Sequence, residues 1–113
     1  MKKIVVIPNE TKDKELKVTK TLIEILKNRA VVVMEKEFSG ISDGIEFKNN
    51  AGLYDGADFA IVLGGDGTIL CTAEQCGKRN IPVMGINLGK VGFMTEIKTD
   101  EIDKAVNSCI VIQ

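Results

Sequence analysis

A chain of 113 residues that is 44% hydrophobic and 27% charged supports one domain with one core, able to bury roughly two thirds of the surface its unfolded form exposes. Its 15 basic and 16 acidic residues leave a net charge of −1, and with the basic residues scattered and Tyr54 the one tyrosine, no basic stripe interleaves with aromatics, so nucleic acid is not an expected partner. No apolar run approaches the ~20 residues of a membrane span, and Lys2-Lys3 precedes only a short strand-like segment; neither an anchor nor a signal peptide is expected, and the chain reads as cytoplasmic.

Residues 4–7 are a continuous apolar run, the mark of a strand covered on both faces, and Pro8-Asn9 ends it. A helix is expected over residues 12–28, with Val18, Leu22, Ile25 and Leu26 as its apolar stripe and Lys14, Lys17, Lys20, Glu24 and Lys27 opposite. Residues 30–34 form a second unalternating apolar run, completing a βαβ unit. From 35 to 58 the pattern dissolves into Ser39-Gly40, Asp43-Gly44, Asn49-Asn50 and Gly52, which reads as a long, partly ordered connection with a short helix over residues 50–54.

The most informative stretch follows. Residues 59–63 read as a buried strand, stopped by Gly64, Gly65 and Gly67, and from Thr68 the apolar positions Ile69, Leu70, Ala73 and Cys76 fall on helical spacing, ending near residues 77–79. A glycine turn between a strand's carboxyl end and a helix's amino end suits anions. The first helical amides lack partners, the dipole is positive there, and glycines able to take positive φ let the backbone form a nest. Asp66 complicates this. A carboxylate about 4 Å from a phosphate charge costs roughly 4 kcal/mol at an effective dielectric near 20, more than the ~2 kcal/mol a helix dipole supplies. Asp66 therefore faces a metal ion, accepts a hydrogen bond from a substrate hydroxyl, or simply caps the helix. The loop is neither a Walker A sequence nor a dinucleotide fingerprint, since no Lys-Ser/Thr pair follows and the third glycine is missing.

Residues 82–86 form a fourth strand, and Asn87-Leu-Gly-Lys-Val-Gly-Phe93 leaves it at the same carboxyl edge as the glycine turn, where ligands bind in parallel sheets. A short helix from Thr99 carries Ile102, Ala105, Val106 and Cys109, and residues 110–112 begin another strand; this strand-like ending implies that the polypeptide continues. The expected fold is α/β, a Rossmann-like three-layer sandwich with a mainly parallel sheet and right-handed crossovers. Cys71, Cys76 and Cys109 are odd in number and read as small core residues. With no histidine, there is no imidazole metal site and no Ser-His or Cys-His pair, so acid–base chemistry falls to a carboxylate or a lysine.

The Gly-Gly-Asp-Gly-Thr run at 64–68 resembles a signature shared by NAD kinases and lipid kinases, with a relative in phosphofructokinases. Joined by Ile81-Pro-Val-Met-Gly-Ile-Asn87 and Leu88-Gly-Lys-Val-Gly-Phe-Met-Thr-Glu-Ile97, it is similar to the amino-terminal domain of bacterial NAD kinases over essentially the whole chain. The resemblance implies phosphorylation of the adenosine ribose 2′-hydroxyl of NAD by ATP or inorganic polyphosphate, with a divalent cation such as Mg2+ as cofactor, in a homo-oligomer. It implies Asp66 as general base and Gly64, Gly65, Gly67, Thr68 and Phe93 as NAD or phosphate contacts. Asn87, Lys90 and Cys71 are further candidates, and no residue is assigned as a metal ligand. Phe93 could equally be core, and Lys90 a solvated loop cation.

Two departures accompany the resemblance. Many family members carry a basic or imidazole side chain where Cys71 stands, and the family's second, all-β domain, with its Asn-Glu motif, does not follow; Asn9-Glu10 lies instead between the first strand and first helix. Residues 1–108 thus read as the amino-terminal domain and 109–113 as the start of a link to the β domain, a piece expected to be inactive alone. The competing readings are a lipid or sugar kinase with the same loop, and a stand-alone nucleotide-binding regulatory module.

Overall fold

The computed structural model describes residues 2–87. Five strands, β1 (Lys3–Ile7), β2 (Val31–Glu35), β3 (Glu46–Lys48), β4 (Phe59–Gly64) and β5 (Val83–Asn87), form one sheet in the order β3-β2-β1-β4-β5. Every neighbouring pair is parallel. The four apolar runs become strands because continuous Val, Ile and Leu content suits a sheet covered on both faces, and all six residues of β4, between β1 and β5, are buried.

Alternation along the strands divides the core in two. Ile4, Val6, Val32, Met34, Ile61 and Leu63 pack with Leu22, Ile23 and Leu26 of helix α1 (Lys17–Leu26). On the other face Val5, Val33 and Ala60 pack with Leu53, Ile81 and Cys76, the last from helix α2 (Asp66–Gly77). The sheet is therefore the middle of three layers, as expected of the α/β class. Leu22, Ile23 and Leu26 lose all exposure, worth about 1.5–3 kcal/mol each, whereas the exposed Lys27–Glu24 ion pair at 2.9 Å adds little.

Several expectations need correction. The first helix starts at Lys17 rather than residue 12, because Glu15 and Leu16 take left-handed φ values of 57° and 55°, which no helix can contain. Asp13, buried, folds back over the break and accepts hydrogen bonds from the amides of Val18 (3.0 Å) and Thr19 (2.9 Å) and from the Thr19 hydroxyl (2.7 Å). The 35–58 connection holds the unforeseen strand β3, whose Glu46-Phe47-Lys48 alternation is that of an edge strand; Phe38, Ile41, Ile45 and Phe47 pack on the α1 side in place of a crossover helix. The helix expected over residues 50–54 is one 3₁₀ turn, Asn50–Gly52, with the Asn49 side chain accepting from the Gly52 amide at 3.1 Å.

The second helix presents Thr72 and Cys76 to the core, while Leu70 and Ala73 of the expected apolar stripe are exposed. Cys76 is the small core residue anticipated, and burial pushes its thiol up, keeping it protonated. Cys71 is exposed, so the core reading fails for it. Cys109, the helix from Thr99 and the strand at 110–112 lie outside the described residues. Among the described residues no helix is long and apolar enough to cross a membrane.

Candidate functional site

Strands β1 and β4 are neighbours, yet the chain leaves them toward opposite ends of the sheet: β1 leads to β2, β4 to β5. A crevice opens at such a switch point, at the carboxyl ends of the strands, because the two connections diverge there. Pro8 and Asn9 enter it from β1, and Gly64 and Gly65 from β4. Asn87, at the end of β5, is in register with Gly64; the rest of the second glycine-rich segment, residues 88–93, lies outside the described residues.

The strand-to-helix turn is shorter than the sequence implies. Gly65, with φ −87° and ψ 178°, is the cap position, no side chain caps the helix there, and Asp66 is already the first helical residue. Asp66 is therefore not the cap, one of the three roles open to it. The Ile69 amide donates to the Gly65 carbonyl at 3.1 Å, closing the first helical turn. The amides of Asp66, Gly67 and Thr68 precede that bond and have no helical acceptor. Positive charge at this end favours an anion.

The glycines serve this site differently from the expected positive-φ nest. Positive φ among the described glycines occurs at Gly44 and Gly56, not in the 64–67 turn. What Gly64 supplies is the absence of a Cβ, which would lie 3.0 Å from Thr68 Cβ and 3.1 Å from Asn9 Nδ2. Gly85 of β5 does the same for the helix's underside, where a Cβ would lie 2.9 Å from Ile69 Cγ2. Around Gly67 nothing lies within 4 Å of a Cβ position, so a side chain there would meet open space.

Two site residues escaped sequence reasoning. Asn9 accepts the amides of Thr11 (3.0 Å) and Lys12 (3.1 Å) on Oδ1 and donates from Nδ2 to Thr68 Oγ1 at 3.3 Å, joining the β1 exit to the first turn of α2. Lys12 follows this turn, and its Cε lies 3.6 Å from where a Cβ on Gly65 would stand. The available signal was Pro8-Asn9 at a strand end, an Asx-turn pattern, which read only as a strand terminator. Of the other candidates, Cys71 is exposed on α2, and Lys90 and Phe93 lie outside the described residues.

A cleft of about 420 Å³ is lined in part by Glu10, Glu15, Glu37 and Lys20. Three carboxylates against one ammonium disfavour phosphate in this cleft. At the end of β2, burial and the neighbouring Glu37 charge raise the Glu35 carboxyl above the usual range. Among the described residues no three His, Cys, Asp or Glu side chains converge to hold a metal ion.

Comparison with known proteins agrees with this geometry. The NAD kinase of Caldanaerobacter subterraneus subsp. tengcongensis is 41% identical over 104 residues, 90% of this chain and 37% of that protein. That of Ruminiclostridium cellulolyticum is 39% identical over 111 residues, 97% of this chain and 39% of the relative. The NAD kinase of Geobacter sulfurreducens reaches 52% identity over 54 residues, 48% of this chain and 19% of its own. The chain thus spans 37–39% of the length of the first two. The family profile of the ATP-NAD kinase N-terminal domain matches residues 4–111, and this chain belongs to that family.

Proposed function

We propose that this chain carries the phosphoryl-transfer loop of an NAD kinase, which moves a phosphoryl group from ATP or inorganic polyphosphate to the adenosine ribose 2′-hydroxyl of NAD, giving NADP. The observation that carries the reading is the uncapped amino end of α2 at the sheet's switch point, with a carboxylate at its first position. Phosphoryl transfer asks a protein chiefly to position the reactants and to neutralise charge. The free amides of Asp66, Gly67 and Thr68 meet phosphate oxygens, and Lys12, beside Gly65, adds a positive charge. Asp66 takes the proton of the ribose 2′-hydroxyl as the new O–P bond forms and the bond to the leaving ADP or shortened polyphosphate breaks. A divalent cation, Mg2+ in this reading, would be held by the phosphates and would offset their charge.

In the same reading Phe93 and Asn87 border the nucleotide, Lys90 meets a phosphate, and the working enzyme is a cytoplasmic homo-oligomer. The family assignment favours this over a lipid or sugar kinase with the same loop. Incubating the full-length gene product with NAD and Mg2+ plus either ATP or polyphosphate, and separately with diacylglycerol and ATP, tests it. NADP formation is expected, and phosphorylation of diacylglycerol without NADP would overturn the reading.

A further inference from the structure

The hydrogen-bonding polarity of Asn9 is settled by its neighbours. Its Oδ1 accepts the backbone N–H groups of Thr11 (3.0 Å) and Lys12 (3.1 Å), which can only donate. The opposite end is therefore the NH2 group, and Nδ2 donates to Thr68 Oγ1 at 3.3 Å. A hydroxyl that accepts on its oxygen keeps its own proton for another acceptor. Thr68 is the third residue of α2, where the partnerless amides lie. Gly64 lies close against this bond: a Cβ there would come within 3.1 Å of Nδ2 and 3.0 Å of Thr68 Cβ. The glycine before the cap thus leaves room for the Asn9–Thr68 contact.

We propose that Asn9 is a positioning residue that fixes the Thr68 hydroxyl as a hydrogen-bond donor to a nucleotide phosphate at the start of α2. The identity of that nucleotide rests on the NAD kinase reading; the donor polarity rests on the Asn9 network alone. The loop after β1 thereby takes part in phosphate recognition, because the same amide that folds this loop also orients the hydroxyl across the switch point.

Asn9→Asp separates orientation from mere clamping. The aspartate still accepts the Thr11 and Lys12 amides, so the fold is kept, but its second oxygen can only accept, and it draws the Thr68 proton away from the phosphate. The experiment is a double-mutant cycle in the full-length gene product: wild type, Asn9→Asp, Thr68→Val and the double variant. It is read by kcat/KM for NADP formation and by ATP affinity, with a thermal melt of each protein. Asn9→Asp is expected to lower kcat/KM about 10- to 100-fold, the size of a lost hydrogen bond to a charged group, with the melt nearly unchanged. In the Thr68→Val background the same substitution acts only through its added charge, and its effect is expected to be at least about fivefold smaller.

Asn9→Ser, which keeps an acceptor for the loop amides but is too short to reach Thr68, is expected to fall between wild type and Asn9→Asp. Equal losses in both backgrounds, or a wild-type rate for Asn9→Asp, would overturn the proposal. A wild-type protein that forms no NADP would refute the NAD kinase reading instead. The ATP affinities of the four proteins would then decide the Asn9 proposal, coupling supporting it and additivity or absence of binding overturning it.

Discussion

At the amino end of α1, Asp13 folds back and engages the amides of Val18 and Thr19, with the Thr19 hydroxyl as a third donor; at the amino end of α2 the cap is a glycine, which makes no side-chain cap hydrogen bond. Both helices follow a strand of the same sheet, and both begin at its carboxyl edge. The difference is one of use. A buried carboxylate that neutralises the first amides makes α1 a closed structural element, whereas the glycine cap of α2 supplies no side-chain acceptor for its first amides. Asp66 is the first residue of that helix.

The largest effect that could break this contrast is at Asp66. In the full-length gene product Asp66→Asn is expected to lower kcat for NADP formation by roughly 10²–10⁴-fold, the usual size for loss of a positioned general base. At the first helical position the same change costs only the dipole interaction, about 0.3–1 kcal/mol, so the melt should move little. Steady-state kinetics beside the melt checks both; an unchanged rate would reduce Asp66 to a structural residue. Next comes Asp13→Ala, expected to cost about 2 kcal/mol of stability by stripping the first amides of α1 of their acceptor, as measured by denaturant unfolding. Its kcat, compared under conditions where both proteins are folded, should stay close to that of wild type.

Gly65→Ser sharpens the comparison by closing the open end. Its extended backbone accepts any residue, and the nearest atom to a Cβ there is Lys12 Cε at 3.6 Å, an ordinary contact. A serine cap should change stability by only a few tenths of a kcal/mol while lowering kcat/KM about tenfold, because it competes for an amide the phosphate needs. Undiminished activity in this variant would argue that these amides do not bind phosphate.

The smallest effect concerns Glu35. Its raised folded pKa means that the folded state holds that proton more tightly than the unfolded state does. The resulting stability is fully present below the ordinary glutamate value and is lost as pH rises through the folded one. Glu35→Gln should therefore give a small gain in melting temperature above that window and none below it, read from melts across pH.

How much of this was legible follows from where burial dominates. The runs at 4–7, 30–34, 59–63 and 82–86 announced themselves because strands in a parallel sheet are covered on both faces and need no polar alternation. Strand β3 did not, because three residues on an edge, two of them charged, carry almost no hydrophobic signal. The start of α1 was misplaced because Asp13-Lys-Glu-Leu16 has good helical propensity, and only a distant contact, the Asp13 side chain on Thr19, shows that two of its residues turn left-handed. Leu70 looked like a core residue because it sits on helical spacing, but the helix buries Thr72 and Cys76 instead. The strand-to-helix glycine turn was readable from local sequence. Asn9 and Lys12 were not, since they reach the turn from more than 50 residues away through the β1–β4 pairing.

The central claim is that the amino end of α2 receives phosphate while that of α1 does not, and selective ¹⁵N-threonine labelling tests it in one spectrum. Thr19 reports on the closed end and Thr68 on the open one. Adding NAD, then a non-hydrolysable ATP analogue with Mg2+, to the labelled full-length gene product is predicted to shift the Thr68 amide strongly and leave Thr19 in place. A Thr68 signal that stays put at saturating nucleotide, in a protein that still turns over NAD, would contradict the account.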